Sequence, residues 1–73
     1  MPPRRLSFRE VQRRLLAAGW MEAGATGSHV KFARRTATGT RTAIVPKHRE
    51  IAIGTLRSIL RQAGISPEEF DSL

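Results

Sequence analysis

The sequence predicts an α+β fold, a two-layer sandwich in which two helices cover one face of a small antiparallel sheet in the order α-β-β-β-α, with a short C-terminal helical turn. Three observations predict it. Apolar residues recur at helical spacing near both ends of the chain; between them the pattern changes to short segments parted by Gly and Thr; and a glycine stands where each helix must stop. Seventy-three residues make one domain, residues 1–73, and a chain of this length buries only about 60% of its unfolded surface.

The first helix begins at Phe8. Ser7-Phe8-Arg9-Glu10 is a capping box, with Ser7 placed to accept from the Glu10 amide and Glu10 to reach back, and Gly19 supplies the left-handed stop. Phe8, Val11, Leu15 and Ala18 share its packing face, while Arg9 and Arg13 lie one turn apart on a wet one. Residues 1–5 are expected to lie free of the fold.

Three strands follow, expected at Trp20–Ala23, Ser28–Arg35 and Thr40–Val45, with Gly24–Gly27 and Thr36–Gly39 as turns. In the middle strand the two-residue alternation puts Val30 and Phe32 on one face and His29 with Lys31 on the other, which faces water if the helices cover the first. Trp20, just after the helix stop, is expected in the core rather than as a base-stacking platform.

After a Pro46–Glu50 loop, the second helix carries Leu56, Ile59, Leu60 and Ala63 on one face and Arg57 with Arg61 on another, stopping at Gly64. Ser66, Pro67 and Glu69 then stand at N-cap, N1 and N3 of the terminal turn. This architecture is the shape shared by double-stranded-RNA-binding domains.

Charge narrows the partner. Lys and Arg number 13 against 6 acids, three of which sit in the last six residues, so residues 1–67 carry a net +10. Eleven of the thirteen cations are arginine, which favours planar, bidentate contact with phosphate. The partner is expected to be nucleic acid or an acidic protein.

The longest uncharged apolar run, Leu15 to Met21, is too short to cross a bilayer, and Arg9, Glu10, Arg13 and Arg14 interrupt any signal-peptide core, so a cytoplasmic protein is expected. An Arg-rich amphipathic N-terminus also fits a transit peptide, but the capped helix reads better as part of the fold. No cysteine is present, the two histidines fall on different elements and half of the acids are in the tail; neither a metal site nor a cofactor is expected.

His29 carries the chemistry, if any residue does. An imidazole can take a proton from a ribose 2′-hydroxyl, which then attacks the neighbouring phosphorus. Lys31, two residues along the same strand face, is placed to stabilise the charge that builds on the phosphate oxygens. Gly27 lets the backbone approach closely and Ser28 offers a hydroxyl donor. The products expected are a 2′,3′-cyclic phosphate and a 5′-hydroxyl end. Taken singly, each has a plainer reading: a surface histidine, a turn glycine, a solvated lysine, and helix arginines that only keep the surface wet. His48 is the second actor to consider, as acid for the departing 5′-oxygen or as a residue that shapes its loop.

Gly27-Ser28-His29-Val30-Lys31-Phe32 resembles the glycine-serine-histidine-x-x-aromatic motif of the HicA toxins, small mRNA interferases of bacterial toxin-antitoxin systems. Their second block is similar to Pro46-x-His48 and to the run from Glu50-Ile51 through Gly54-Thr55-Leu56-Arg57-Ser58-Ile59-Leu60-Arg61-Gln62-Ala63-Gly64-Ile65. The resemblance covers Ser7 to about Phe70. It implies a double-stranded-RNA-binding-like fold, metal-independent endoribonuclease activity on mRNA, and a HicB-type antitoxin that masks the active site. It places the catalytic histidine on His29, with Gly27 and Ser28 as motif context; Pro46 and His48 match the second block without a role being fixed, and Ala33 to Thr40 matches no motif. The rivals are a non-catalytic module holding duplex RNA by shape and an adaptor for an acidic protein. Against the first, Gly54-Thr55-Leu56-Arg57 has a single cation where such modules carry a lysine cluster.

Overall fold

Residues 5–73 are described by a computed structural model. The elements are α1 (Phe8–Ala17), β1 (Met21–Thr26), β2 (His29–Thr36), β3 (Gly39–Pro46), α2 (Ile53–Ala63) and a five-residue helix α3 (Pro67–Asp71). The strands form one antiparallel sheet in the order β1-β2-β3. The expected freedom of residues 1–4 lies outside the described residues, and Arg5 is exposed.

Both long helices close in the same way. At the end of α1 the Gly19 N–H donates to the Leu16 carbonyl and the Trp20 N–H to Leu15; at the end of α2 Gly64 donates to Arg61 and Ile65 to Leu60. These are Schellman closures, and they need the positive φ that Gly19 (91°) and Gly64 (68°) adopt. Each turns the chain so that the next residue, Trp20 or Ile65, enters the core.

The core is one cluster. Val11 and Leu15 from α1, Val30 and Phe32 from β2, Ala43 and Val45 from β3, and Ile59, Leu60 and Ala63 from α2 are all buried in it, with Ile51 and Phe70. Because both helices join that single cluster, both lie on the same face of the sheet. Phe8 packs across the layers with its ring centroid 6.2 Å from that of Phe32.

Glu10 departs from expectation. Ser7 Oγ does accept from the Glu10 N–H at 3.1 Å, but the Glu10 carboxylate turns along the helix and takes Arg13 Nη2 at 2.6 Å and Arg14 Nε at 2.8 Å. Two charged donors a turn away outweigh one neutral amide. The hydrogen bonds from Arg13 and then Arg14 hold the Glu10 carboxyl at about 2.

Arg14 also fastens α3. Its guanidinium lies 4.9 Å from the Phe70 ring centroid, donates to the Phe70 carbonyl at 3.3 Å and sits 3.5 Å from the Asp71 carboxylate. Two sheet arginines likewise serve helix ends: Arg41 donates from Nε to the Gln62 carbonyl at 2.8 Å, and the Arg34 side chain lies beside Gly19. Cations at helix C-termini are favourably placed against the dipole.

The strand limits also differ from the sequence reading. Gly24 does not begin a turn: β1 runs on to Thr26, and the two-residue turn is Gly27-Ser28, so β2 starts at His29 rather than Ser28. One extra residue, Ala23, bulges between the Glu22–Phe32 and Gly24–Lys31 pairs and absorbs the glycine that read as a turn signal. β3 extends one residue beyond expectation at each end.

Candidate functional site

The Gly27-Ser28 turn joins β1 to β2 with Thr26 paired to His29. Gly27 has φ +59° and Ser28 is not positive, the φ pattern of a II′ turn, whose twist suits a tight hairpin. A Cβ at Gly27 would meet nothing within 4 Å, so the backbone angle, not crowding, asks for glycine here. Ser28 is exposed, and its carbonyl is used by the loop described below.

His29 and Lys31 point away from the helices. Val30 and Phe32, between and beyond them, are fully buried on the other side, and both His29 and Lys31 are exposed. The register sets Thr26 beside His29 on one flank, and places Gly24 and Ile44 on either side of Lys31. Together they line a shallow depression of about 330 Å³ on the bare face of the sheet. Gly24 contributes no side chain, so Lys31 and Ile44 stand above a low strand, and this relief makes the hollow.

The Pro46–Glu50 loop is bound to that hairpin. The Lys47 N–H donates to the Ser28 carbonyl at 2.6 Å, the His48 N–H to Pro46 at 2.9 Å, and the His48 carbonyl accepts the Phe8 N–H at 2.9 Å. The two sequence motifs are therefore joined through backbone. The exposed His48 side chain is not among the residues that line the depression.

The helix arginines are placed elsewhere. Arg9, Arg13, Arg57 and Arg61 are all exposed on the helix layer, with the sheet between them and the face that carries His29 and Lys31. Arg13 is paired with Glu10, whereas Arg9, Arg57 and Arg61 have no ion pair among the described residues. The structure thus brings together Gly27, Ser28, His29 and Lys31 and sets the four arginines apart. Sequence reasoning missed Gly24, Thr26 and Ile44, which enter through cross-strand register; no local signal marks them.

Among the described residues no three His, Asp or Glu side chains gather into a metal-binding group, and no helix is long and apolar enough to cross a membrane. Comparison with curated proteins found no match. The family model described as HicA toxin of bacterial toxin-antitoxin matches residues 8–65, a span that starts at the first residue of α1 and ends where Ile65 completes the closure of α2. That span contains both motifs and the whole sheet, and on it the chain belongs to the HicA toxin family of bacterial toxin-antitoxin systems.

Proposed function

We propose that this toxin acts as a metal-independent endoribonuclease on mRNA, with His29 as general base. The observation that carries the reading is the placement of His29 and Lys31 on the water-facing side of β2, in one depression, at the end of a hairpin whose turn is tied to the second motif.

His29 takes the proton of a ribose 2′-hydroxyl, the 2′-oxygen forms a bond to the adjacent phosphorus, and the bond to the 5′-oxygen breaks. Lys31 faces the charge gathering on the non-bridging oxygens. In this reading the departing 5′-oxygen gains its proton from water, and His48, which does not line the depression, serves through its backbone. A 2′,3′-cyclic phosphate and a 5′-hydroxyl end result. Arg9, Arg57 and Arg61 hold flanking stretches of the RNA backbone from the helix layer.

A HicB-type antitoxin covers the sheet face in this reading. An RNA-cutting toxin must be held inactive in the cell that makes it, and a +10 body offers an acidic partner a ready surface. The test of the nuclease is incubation of the purified chain with RNA in EDTA. Cleavage to cyclic-phosphate ends that stops with His29→Ala, while that variant still folds and binds RNA, is the expected result. Undiminished cleavage by His29→Ala would reject the assignment, and retention of RNA without any cutting would favour the binding module.

A further inference from the structure

We infer that the depression on the bare sheet face is a nucleobase subsite, holding the base of the nucleotide whose 2′-hydroxyl faces His29. The inference rests on the reading of His29 and Lys31 just given and extends it to the substrate.

Covalent geometry carries the first step. A phosphate at Lys31 and a 2′-hydroxyl at His29 belong to one nucleotide, and its base lies one ribose away from both groups. Both residues line the same hollow, so the base either enters the hollow or hangs in solvent. The lining decides between these. Ile44 presents an apolar side chain 41% exposed on one side of Lys31, and Gly24 leaves the opposite side flat. Such a pair offers a base one apolar edge and one bare strip of backbone to lie on.

Size and chemistry agree. A volume of about 330 Å³ falls at the small end of ligand pockets, which run from about 300 to 1,000 Å³, and suits one nucleotide rather than a longer stretch. Thr26, paired with His29, supplies the hydroxyl of the lining and can donate to or accept from a base edge. No aromatic side chain takes part: Trp20, Phe32 and Phe70 are buried in the core, and Phe8 packs against Phe32. The subsite therefore works by apolar contact and edge hydrogen bonds. An unpaired base can enter it; a base stacked inside a duplex cannot, so the substrate class is single-stranded RNA.

The test is titration of the 15N-labelled chain with the four nucleoside 3′-monophosphates and, in parallel, with base-free ribose 3-phosphate. Amide shifts at Gly24, Thr26 and Ile44 are expected with nucleotides only, and affinity is expected to be about fivefold to tenfold tighter than for the sugar phosphate, the gain from taking about 50 Å² of apolar surface out of water. Ile44→Ala should erase that difference, whereas Arg57→Ala should weaken both probes alike or neither. Equal affinity for nucleotide and sugar phosphate, or shifts confined to other strands, would overturn the subsite even if RNA is cut normally. A base-dependent shift in a chain that cuts no RNA would keep the subsite and reject the nuclease. An acidic peptide that shifts these amides while nucleotides do not would overturn it in favour of a partner protein.

Discussion

The backbone N–H of Phe8, the first residue of α1, donates to the carbonyl of His48 at 2.9 Å. His48 is thus used through its backbone, to seat the Pro46–Glu50 loop on the start of a helix, while its imidazole stays exposed. A His48→Ala variant keeps that bond and should retain cleavage within about fivefold, since a missing general acid costs about 100-fold or more. A fall of that larger size in a folded variant, read from initial cleavage rates, would return the acid role to His48.

Lys31 and the helix arginines act on different quantities. Lys31→Ala should lower the rate of the chemical step at saturating RNA. Arg57→Ala and Arg61→Ala should leave that rate in place but weaken binding, and each should flatten the slope of log affinity against log salt by about 0.7 if it contacts one phosphate of a single strand. Filter binding across a salt series checks the second claim. Unchanged slopes would show that these arginines do not touch the RNA.

Glu10 makes stability depend on acid. Its carboxyl sits at about 2 in the folded chain against 4.5 for the free group, because Arg13 and Arg14 hydrogen-bond the ionised form. A lowered folded value stabilises above the unfolded value, so the contribution is full above pH 4.5 and is lost as the pH falls from 4.5 towards 2. An NMR titration of the Glu10 side chain should give a midpoint near 2, rising towards normal in Arg13→Ala.

The two partners of Glu10 are unequal. The Arg13 side chain is 58% exposed and Arg14 only 17%. Arg13→Ala should cost no more than about 0.5 kcal/mol, as exposed pairs do. Arg14→Ala also removes the stack on Phe70 and the bond to its carbonyl, and should cost about 1.5 kcal/mol. Urea melts of both variants give the comparison.

Gly64 combines two restraints. Its φ of +68° disfavours any side chain, and a Cβ there would come 2.8 Å from Arg41 Cζ, whose guanidinium holds the Gln62 carbonyl. Gly64→Ala should destabilise by about 1–2 kcal/mol from the left-handed backbone alone. Gly27→Ala meets open space and should show only the backbone part. Trp20 behaves differently: its buried Nε1–H has no hydrogen-bond partner among the described residues, so Trp20→Phe discards an orphan donor and should cost far less than the roughly 3–5 kcal/mol typical of truncation to alanine.

Helices were the most legible part of this chain. Val11 with Leu15 and Ile59 with Leu60 face the core as their spacing requires, and Gly19 and Gly64 stop the helices because only their backbone angles allow the closing bonds. The exposed placement of His29 and Lys31 follows from simple alternation with Val30 and Phe32. Register was not legible. Gly24 reads as a turn when only neighbours along the chain are considered, yet the sheet keeps it in a strand, and the membership of Thr26 and Ile44 in the hollow depends on partners 3 and 13 positions from His29 and Lys31. The rotation of Glu10 from cap to ion pair was hidden for a similar reason, since a capping box and an acid-arginine ladder share the same letters.

The kink at Ala23 gives β1 one residue more than its partner needs. A chain shortened there keeps Met21 and Glu22 opposite Ala33 and Phe32, and Gly24 to Thr26 opposite Lys31 to His29, so the greasy interior stays whole while the basin beside His29 loses Ala23 from its wall. The wall on the wet side and cohesion on the dry side thus rest on separate positions, since Ala23 borders the basin and takes no part in the core.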